Sequence, residues 1–351
     1  MGVPGATTPP PSSWLHLPDS AAPWIAELAA GPQRLQRQPP LQLTDMNQRL
    51  TAMDITPGDR GEVRAVARQI EQDPGLHWLC SRAGSALATM REGVDNHGGE
   101  PAPTPGSWSP LTGESEQQLH RWFWVVVFAM ALPELRRWHA AHGVDPTVSD
   151  VTVADVGAQV AAFRRLSGHG GLDQQRWLTL VFGGRLLRLS RLQVEVRPPG
   201  AATTALAAAG LPGDTPVAAA HIPATGGPLT PDSVDEFLAS VPAASVGLTG
   251  VRPLLLTCDS WLLDPQLSEH LRPDSNIVAF GRRFQLLPLR PQDTPDDDVR
   301  TFAFTVPPAT PIAELPRDSS LRRSLADHLA GGGHWWSRRG WLRLPDPDGA
   351  G

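Results

Sequence analysis

The stretch Val217-Ala-Ala-Ala-His221-Ile-Pro-Ala-Thr-Gly-Gly-Pro-Leu-Thr-Pro231 decides the fold of the second half of the chain. Its apolar start predicts a strand from Val217 to Ile222, and its end predicts a helix from Pro231 to Ser240. Thr230 is a candidate N-cap, with Pro231 as the first helical residue. A glycine-rich turn between a strand and a helix turns backbone N–H groups toward an anion, at the positive end of the helix dipole.

The turn from Pro223 to Pro231 is therefore a candidate phosphate site. It has no lysine and no complete glycine fingerprint, so an ordinary capped strand-to-helix turn is the alternative interpretation. His221, at the C-terminal end of the strand, is a candidate general base, because open α/β sheets bind ligands at that end. The alternative for His221 is a structural histidine at the rim of the core.

The next predicted strand runs from Leu254 to Cys258. At its C-terminal end lie three polar or nucleophilic residues, Cys258, Asp259 and Ser260. Cys258 or Ser260 as a nucleophile, with His221 as its base, would make the protein a hydrolase. No Gly-x-Ser-x-Gly turn surrounds Ser260, so a half-buried cysteine and a turn serine form the alternative interpretation.

Composition excludes several classes of function. The chain has 351 residues and a formal charge of −6, and its 30 Lys+Arg residues are all arginine. The absence of Lys and Tyr excludes Schiff-base lysine chemistry, a P-loop lysine and a tyrosine acid. The acidic balance argues against a nucleic-acid partner. Two distant cysteines and the lack of a secretory signal predict a cytoplasmic protein.

Two local patterns resemble a membrane span and a metal site, but neither is expected here. The apolar run from Trp122 to Leu132 is shorter than the roughly 20 residues that cross a bilayer, so it predicts a buried helix and no membrane span. The sequence His139-Ala-Ala-His142 has metal-like spacing, but no third ligand is evident and no metal is expected.

The order of elements predicts an α+β fold, with a helical N-terminal domain followed by a mixed β-sheet flanked by helices. Apolar spacing predicts helices over 22–30, 61–72, 76–91, 114–142 and 148–166, and a flexible loop over 96–110. The predicted domains are a disordered lead-in over 1–20, a helical domain over 21–170, a sheet domain over 171–343 and a tail over 344–351.

Two hairpins are predicted after Gly171. The first joins Trp177–Phe182 to Arg185–Val196 through Gly183-Gly184, with Leu192, Val194 and Val196 facing inward. The second joins 276–289 to 299–306, with three aspartates, 296–298, at a solvated tip. The segment 198–215 between the first hairpin and the strand at Val217 is predicted as a linker.

Six ordered strings carry a resemblance to a known family. They are Trp177-Leu-Thr-Leu-Val-Phe182, Gly184-Arg-Leu-Leu-Arg-Leu-Ser-Arg-Leu-Gln193, His221-Ile-Pro with Gly226-Gly-Pro-Leu-Thr230, Cys258-Asp-Ser-Trp-Leu-Leu-Asp-Pro265, Ser275-Asn-Ile-Val278 and Gly332-Gly-His-Trp335. Together they resemble a bacterial acyltransferase-like family with a helical N-acyltransferase N-terminal domain and a GNAT-like C-terminal domain. The resemblance covers roughly Ala21 to Leu342.

The resemblance implies a place for the donor substrate, acyl-CoA or acetyl-CoA. Val217–Ile222 and Leu254–Cys258 would take the places of the fourth and fifth GNAT strands, which splay apart around the pantetheine arm. Residues implied to bind the donor are Ile222, Thr225, Gly226, Gly227, Leu229 and Thr230. His221 would be the base, and Ser260 or Cys258 the acid. Two departures from the family are the missing Gln/Arg-x-x-Gly-x-Gly/Ala signature at this loop and the missing tyrosine.

The expected function is therefore acyl-CoA-dependent N-acyl transfer to a small amine acceptor. The alternative is a non-catalytic ligand-binding or assembly protein that retains a degenerate GNAT-like fold.

Overall fold

The computed structural model describes residues 17, 19–31, 43–95, 111–198, 200–307 and 309–345. The chain divides into two compact units, Met1–Leu187 and Arg188–Gly351. The predicted flexible loop over 96–110, and most of the predicted lead-in and tail, lie outside the described residues.

The described part of the first unit is mainly helical. Its helices are α1 (Ala22–Ala30), α2 (Leu43–Ala52), α3 (Pro57–Gln72), α4 (Pro74–Asp95), α5 (Gln118–Ala141), α6 (Pro146–Val153), α7 (Asp155–Ser167) and α8 (Gln175–Phe182). The single helix predicted over 148–166 is thus two helices, α6 and α7, which meet at Ala154.

Helix α5 is the centre of this unit. Every residue from Trp122 to Leu132 is buried, and α3 and α4 pack against the helix. The rings of Phe128 and Phe182 stack with their centroids 4.5 Å apart. The prediction of a buried core helix is confirmed. Among the described helices, none combines the length and apolar character needed to cross a bilayer.

The first predicted hairpin is wrong in its first half. Trp177–Phe182 belongs to helix α8, where Leu178, Val181 and Phe182 recur at helical spacing and are all buried. A short run rich in aromatic and β-branched residues suits a strand or a buried helix equally well, and packing decides between them. Gly183 ends the helix, its N–H donating to Thr179 O at 2.7 Å. The helical region therefore extends well beyond Gly170.

The second unit contains a six-stranded sheet. Its strands are β1 (Leu186–Leu189), which begins just before the unit boundary, β2 (Leu192–Val196), β3 (Val217–His221), β4 (Leu255–Ser260), β5 (Gln285–Leu286) and β6 (Arg338–Arg343). Their order in the sheet is β1-β2-β3-β4-β6-β5. Strands β3 and β4 are parallel, whereas β2–β3, β4–β6 and β5–β6 are antiparallel. This is the mixed sheet that the sequence predicts.

Helices connect and cover the strands. They are α9 (Thr203–Ala208), α10 (Pro231–Thr249), α11 (Leu267–His270), α12 (Asn276–Gly281) and α13 (Ser320–Ala330). Helix α9 lies inside the predicted linker, and its Leu206 packs with Val217, Leu255 and Trp341 on one face of the sheet. That face carries the odd-numbered residues of β2, β3, β4 and β6, because the registers pair odd residues with odd.

The prediction for β2 is right for its apolar side and incomplete for its polar side. Leu192, Val194 and Val196 are buried as expected. Gln193 and Glu195 are buried as well, although alternation alone assigns them to solvent. Both faces of this strand are covered, so its polar residues need a reason to be inside.

The second predicted hairpin is wrong. Residues 276–281 form helix α12 and residues 299–304 form a π-helical turn, and β5 pairs with β6 instead. The three aspartates are not a solvated tip. Asp296 accepts hydrogen bonds from His334 Nδ1 at 2.7 Å and the Trp335 backbone N–H at 2.8 Å, and Asp298 accepts one from Ser337. Asp296 and Asp298 therefore hold the segment that leads into β6, whereas Asp297 is exposed.

Candidate active site

The seam between the two parallel strands ends beside His221. The register of β3 and β4 runs from Val217 opposite Leu255 to Ala220 opposite Cys258. His221 is one residue beyond this last pair on β3. Asp259 is one residue beyond it on β4, which continues to Ser260 in pairing with β6. The two strands thus stop pairing at the edge where the sequence predicts a ligand.

A carboxylate on the neighbouring strand holds the imidazole of His221. Glu195 Oε2 lies 2.9 Å from His221 Nε2, and the same oxygen lies 3.2 Å from Arg197 Nη2. Glu195 is buried and His221 is half-buried. A carboxylate that is hydrogen-bonded to an imidazole fixes the orientation of the ring and determines which nitrogen carries the N–H. The sequence offered no local partner for His221, and the partner lies 26 residues earlier in the chain.

Cys258 lies on the other face of the sheet from His221. Cys258 is opposite Ala220 in the parallel register, so both side chains point to the even-numbered face. Burial, and secondarily the charge of Asp259, raises the pKa of the Cys258 thiol to about 12. The structure therefore does not bring Cys258 together with His221, and the thiol is protonated near neutral pH.

The side chain of Ser260, like that of Cys258, lies on the even-numbered face of β4. Its hydroxyl oxygen accepts a hydrogen bond from the Leu262 N–H at 3.1 Å and caps the short 3-10 helix Trp261–Leu263. The hydroxyl thus has a structural partner. These contacts do not support the acid role that the sequence suggested for Ser260.

Asp259 shares the face of His221. Incomplete solvation raises the pKa of its carboxyl group; Asp298 and Asp293 add to this effect, whereas Arg290 and Arg339 oppose it. Asp259 is therefore an ionisable group at the end of the paired part of β3 and β4. Its side chain lies on the opposite face of the sheet from those of Cys258 and Ser260.

The glycine-rich loop between β3 and α10 is exposed and is held by two arginines. Arg188 donates to Thr225 Oγ1 at 3.0 Å and to Thr225 O at 2.8 Å. Arg191 donates to Gly227 O at 2.6 Å and to Pro223 O at 2.9 Å. Burial, and then the charge of Arg188, lowers the pKa of Arg191. Two like charges held side by side at a glycine-rich loop favour an anion there.

The backbone of this loop needs its glycines. Gly226 and Gly227 have φ angles of +105° and +82°, in the region that glycine enters without strain. A Cβ on Gly226 would overlap Arg188 Nη2. Glycine therefore allows the close approach of the Arg188 guanidinium.

The end of the loop matches its prediction. Thr230 caps α10, its Oγ1 accepting from the Ser233 N–H at 3.3 Å, and Pro231 opens the helix. Leu229 is buried and Ile222 is half-buried. The predicted donor-binding residues thus form one connected segment, from the end of β3 to the start of α10.

His139 and His142, the pair with metal-like spacing, are bonded to neighbouring protein groups. His139 is buried, and its Nδ1 lies 2.8 Å from Ser149 Oγ. Burial, followed by the nearby charges of Arg91, His142 and Arg136, lowers the pKa of His139 to about 4. Among the described residues, no three His, Cys, Asp or Glu side chains form a group that could hold a metal ion.

Comparisons with known proteins identify the family of both halves of the chain. Residues 44–184 match the family described as the N-acyltransferase N-terminal domain, and residues 186–342 match the GNAT-like C-terminal domain. No curated protein sequence matches the chain.

Solved acyltransferase structures resemble nearly the whole chain. An acyltransferase in complex with decanoyl-CoA and teicoplanin is 32% identical, with a TM-score of 0.75, and the match covers 94% of this chain and 97% of that one. A substituted acyltransferase in complex with octanoyl-CoA has the same identity, coverage and TM-score. An acyltransferase in complex with CoA and 10C-teicoplanin is 31% identical, with a TM-score of 0.76 and coverage of 94% and 97%.

Proposed function

Because the chain belongs to the family of acyltransferases with an N-acyltransferase N-terminal domain and a GNAT-like C-terminal domain, we propose that it transfers an acyl group from acyl-CoA to an amine. The observation that carries this proposal is the position of His221. It is paired with the buried Glu195 where β3 and β4 stop pairing, directly before the glycine-rich loop.

Donor binding is assigned to the loop and its arginines. The N-terminus of α10 offers partial positive charge, and Arg188 and Arg191 add two guanidinium groups beside Thr225 and Gly227. The pyrophosphate of CoA is the anion that this setting suits. The loop has neither the family's pyrophosphate-binding signature nor a lysine. Arg188 and Arg191 would supply the positive charge that such a site needs. The relatives' complexes with octanoyl-CoA and decanoyl-CoA make medium-chain donors the first to test.

The reaction needs a base for the attacking amine. A neutral His221 ring that donates its Nε2–H to Glu195 carries its basic lone pair on Nδ1. The ring would accept a proton as the amine nitrogen bonds to the thioester carbon, and Glu195 would stabilise the resulting imidazolium. When the C–S bond breaks, the CoA thiolate would take that proton, directly or through water. Neither Ser260 nor Cys258 is then required as an acid.

The acceptor is proposed to be an amine on a small molecule. The relatives' complexes with teicoplanin and 10C-teicoplanin make a glycopeptide amine the first acceptor to try. Since acyl-CoA is an intracellular metabolite, we assign the reaction to the cytoplasm.

The test combines binding and turnover. Purified protein is mixed with acyl-CoAs of two to twelve carbons, and the melting temperature is measured. A ligand at about 100 times its Kd adds roughly 2.7 kcal/mol to the unfolding free energy. Free CoA release and acylated glycopeptide are then followed by a thiol reagent and mass spectrometry. No stabilisation by any acyl-CoA would contradict the donor site.

His221→Ala tests the base directly. Turnover should fall about 10²- to 10⁴-fold, the range for a positioned base, while the Kd for acyl-CoA stays the same. His77→Ala, at an exposed position of the first unit, is the control.

A ligand-binding protein without catalysis is the second candidate. The observations that favour it are the departures from the family, namely the missing loop signature and the absence of any tyrosine. It predicts stabilisation by acyl-CoA with no acylated product under any condition.

A further inference from the structure

Gln193 is a buried polar residue whose side-chain N–H donors have no partner among the described residues. Its side chain lies in β2 and the residue is only 2% exposed. Its Nε2 is buried and has no hydrogen-bond partner among the described residues. A buried donor without a partner costs free energy. Retention of the amide at such a position therefore needs a reason.

The register places this amide at the candidate active site. Gln193 is the residue directly opposite His221 in the antiparallel β2–β3 pair. Directly opposite side chains share a face and have Cβ atoms about 4.5–5.5 Å apart. Glu195, two residues further along β2, bonds to the same imidazole. His221 thus has a carboxylate bonded to its ring and an amide-bearing residue directly opposite it in the register.

We propose that the Gln193 amide is the oxyanion donor of the acyl transfer. This inference rests on the proposed function. When the amine nitrogen bonds to the thioester carbon, the carbonyl π pair moves to oxygen, and the Gln193 N–H would donate to that oxygen. When the pair returns and the C–S bond breaks, the products are an amide and CoA thiolate, which takes the proton from His221. The amide group is neutral and does not titrate, so it performs this role at any pH.

Gln193→Met tests this role, because Met keeps the length of the side chain and removes the donor. We expect kcat to fall about 10²-fold or more, as for the loss of one oxyanion donor. The fall should be the same across the pH range, unlike the effect of changing an ionisable residue. The melting temperature without ligand should be unchanged or higher, because the unpartnered donor is gone. Gln285→Met is the control, since Gln285 is exposed on the same face in edge strand β5.

A binding comparison tests the donor independently of turnover. The Kd of decanoyl-CoA, a thioester, is compared with that of decyl-CoA, a thioether that lacks the carbonyl oxygen. Wild type should bind the thioester several-fold more tightly, a difference typical of one hydrogen bond, and Gln193→Met should bind both equally.

The outcomes separate this inference from the proposed function. If the wild type binds acyl-CoA but acylates no amine, the proposed function fails, and the thioester comparison still decides whether Gln193 meets the carbonyl. Unchanged kcat, an equal preference for the thioester in both proteins, or a rise in the acceptor KM alone would overturn the role of Gln193. Failure of the wild type to bind any acyl-CoA would overturn both.

Discussion

Glu195 Oε2 lies 2.9 Å from His221 Nε2, although 26 positions separate the two residues in the chain. Antiparallel pairing of β2 with β3 puts both on the odd-numbered face of the sheet. The base of the proposed reaction is therefore defined by strand register and not by any local motif.

Glu195→Gln should lower turnover. The glutamine oxygen can still accept from Nε2, but the negative charge that would stabilise the imidazolium formed during the reaction is lost. We expect kcat to fall about tenfold or more, since a hydrogen bond to a charged group contributes about 1.5–3 kcal/mol, while the Kd for acyl-CoA stays the same. Glu269→Gln, on exposed helix α11, should leave kcat unchanged. An unchanged kcat in Glu195→Gln would indicate that Glu195 only supports packing.

Gly226→Ala should weaken donor binding. The new Cβ would meet the Arg188 guanidinium, so the arginine must leave its position beside Thr225. We expect the KM for acyl-CoA to rise about tenfold or more, since one charge-assisted phosphate contact contributes about 1.5–3 kcal/mol.

The control for this variant is matched in backbone strain. Gly332 has a φ angle of +82°, and a Cβ added to it would meet no other atom within 4 Å. Gly332→Ala should lower the unfolding free energy by about 1–2 kcal/mol and leave the KM unchanged. Equal KM values for the two variants would show that Arg188 does not matter for the donor.

Cys258 should be inert in the folded protein. Because the pKa of its thiol is raised to about 12, almost no thiolate exists between pH 6 and pH 9 by ordinary titration. Iodoacetamide should label neither Cys258 nor the similarly buried Cys80 until urea unfolds the chain. Cys258→Ala should retain most of the transferase activity. Rapid native labelling with loss of turnover would return Cys258 to the mechanism.

His139 should make the first unit sensitive to mild acid. Its pKa is lowered from 6.5 to about 4 in the folded state, so the unfolded chain binds the proton more readily. The stability from the neutral ring is fully present above pH 6.5 and is lost as the pH falls toward 4, up to about 3 kcal/mol. The difference in unfolding free energy between pH 7 and pH 5, measured by urea unfolding, tests this prediction. His139→Gln should flatten the difference, and His77→Gln should preserve it.

Local signals in the sequence predicted the strand, loop and helix around His221 well. Thr230 and Pro231 stabilise the first turn of α10, and Gly226 and Gly227 adopt the positive φ angles that the loop requires. Both effects depend only on neighbouring residues. The partners of His221 could not be found this way. Gln193 and Glu195 alternate with apolar residues, which usually indicates a solvent-facing side, and only the register with β3 places them at the site.

The largest errors arose where packing overrides composition. Trp177–Phe182 has the residues of a strand but is a helix against α5, because Phe182 stacks on Phe128. The three aspartates at 296–298 have the charge of a solvated tip, but Asp296 meets His334 and Trp335, which lie nearly 40 residues away.

The seam between β3 and β4 separates two antiparallel pairs of strands. On one side β3 pairs with β2 up to His221, and on the other β4 pairs with β6 up to Ser260. Gln193, Glu195 and His221 all belong to the β2–β3 pair. The relative positions of these three residues are therefore set by a single strand pair and do not depend on how β4 is placed.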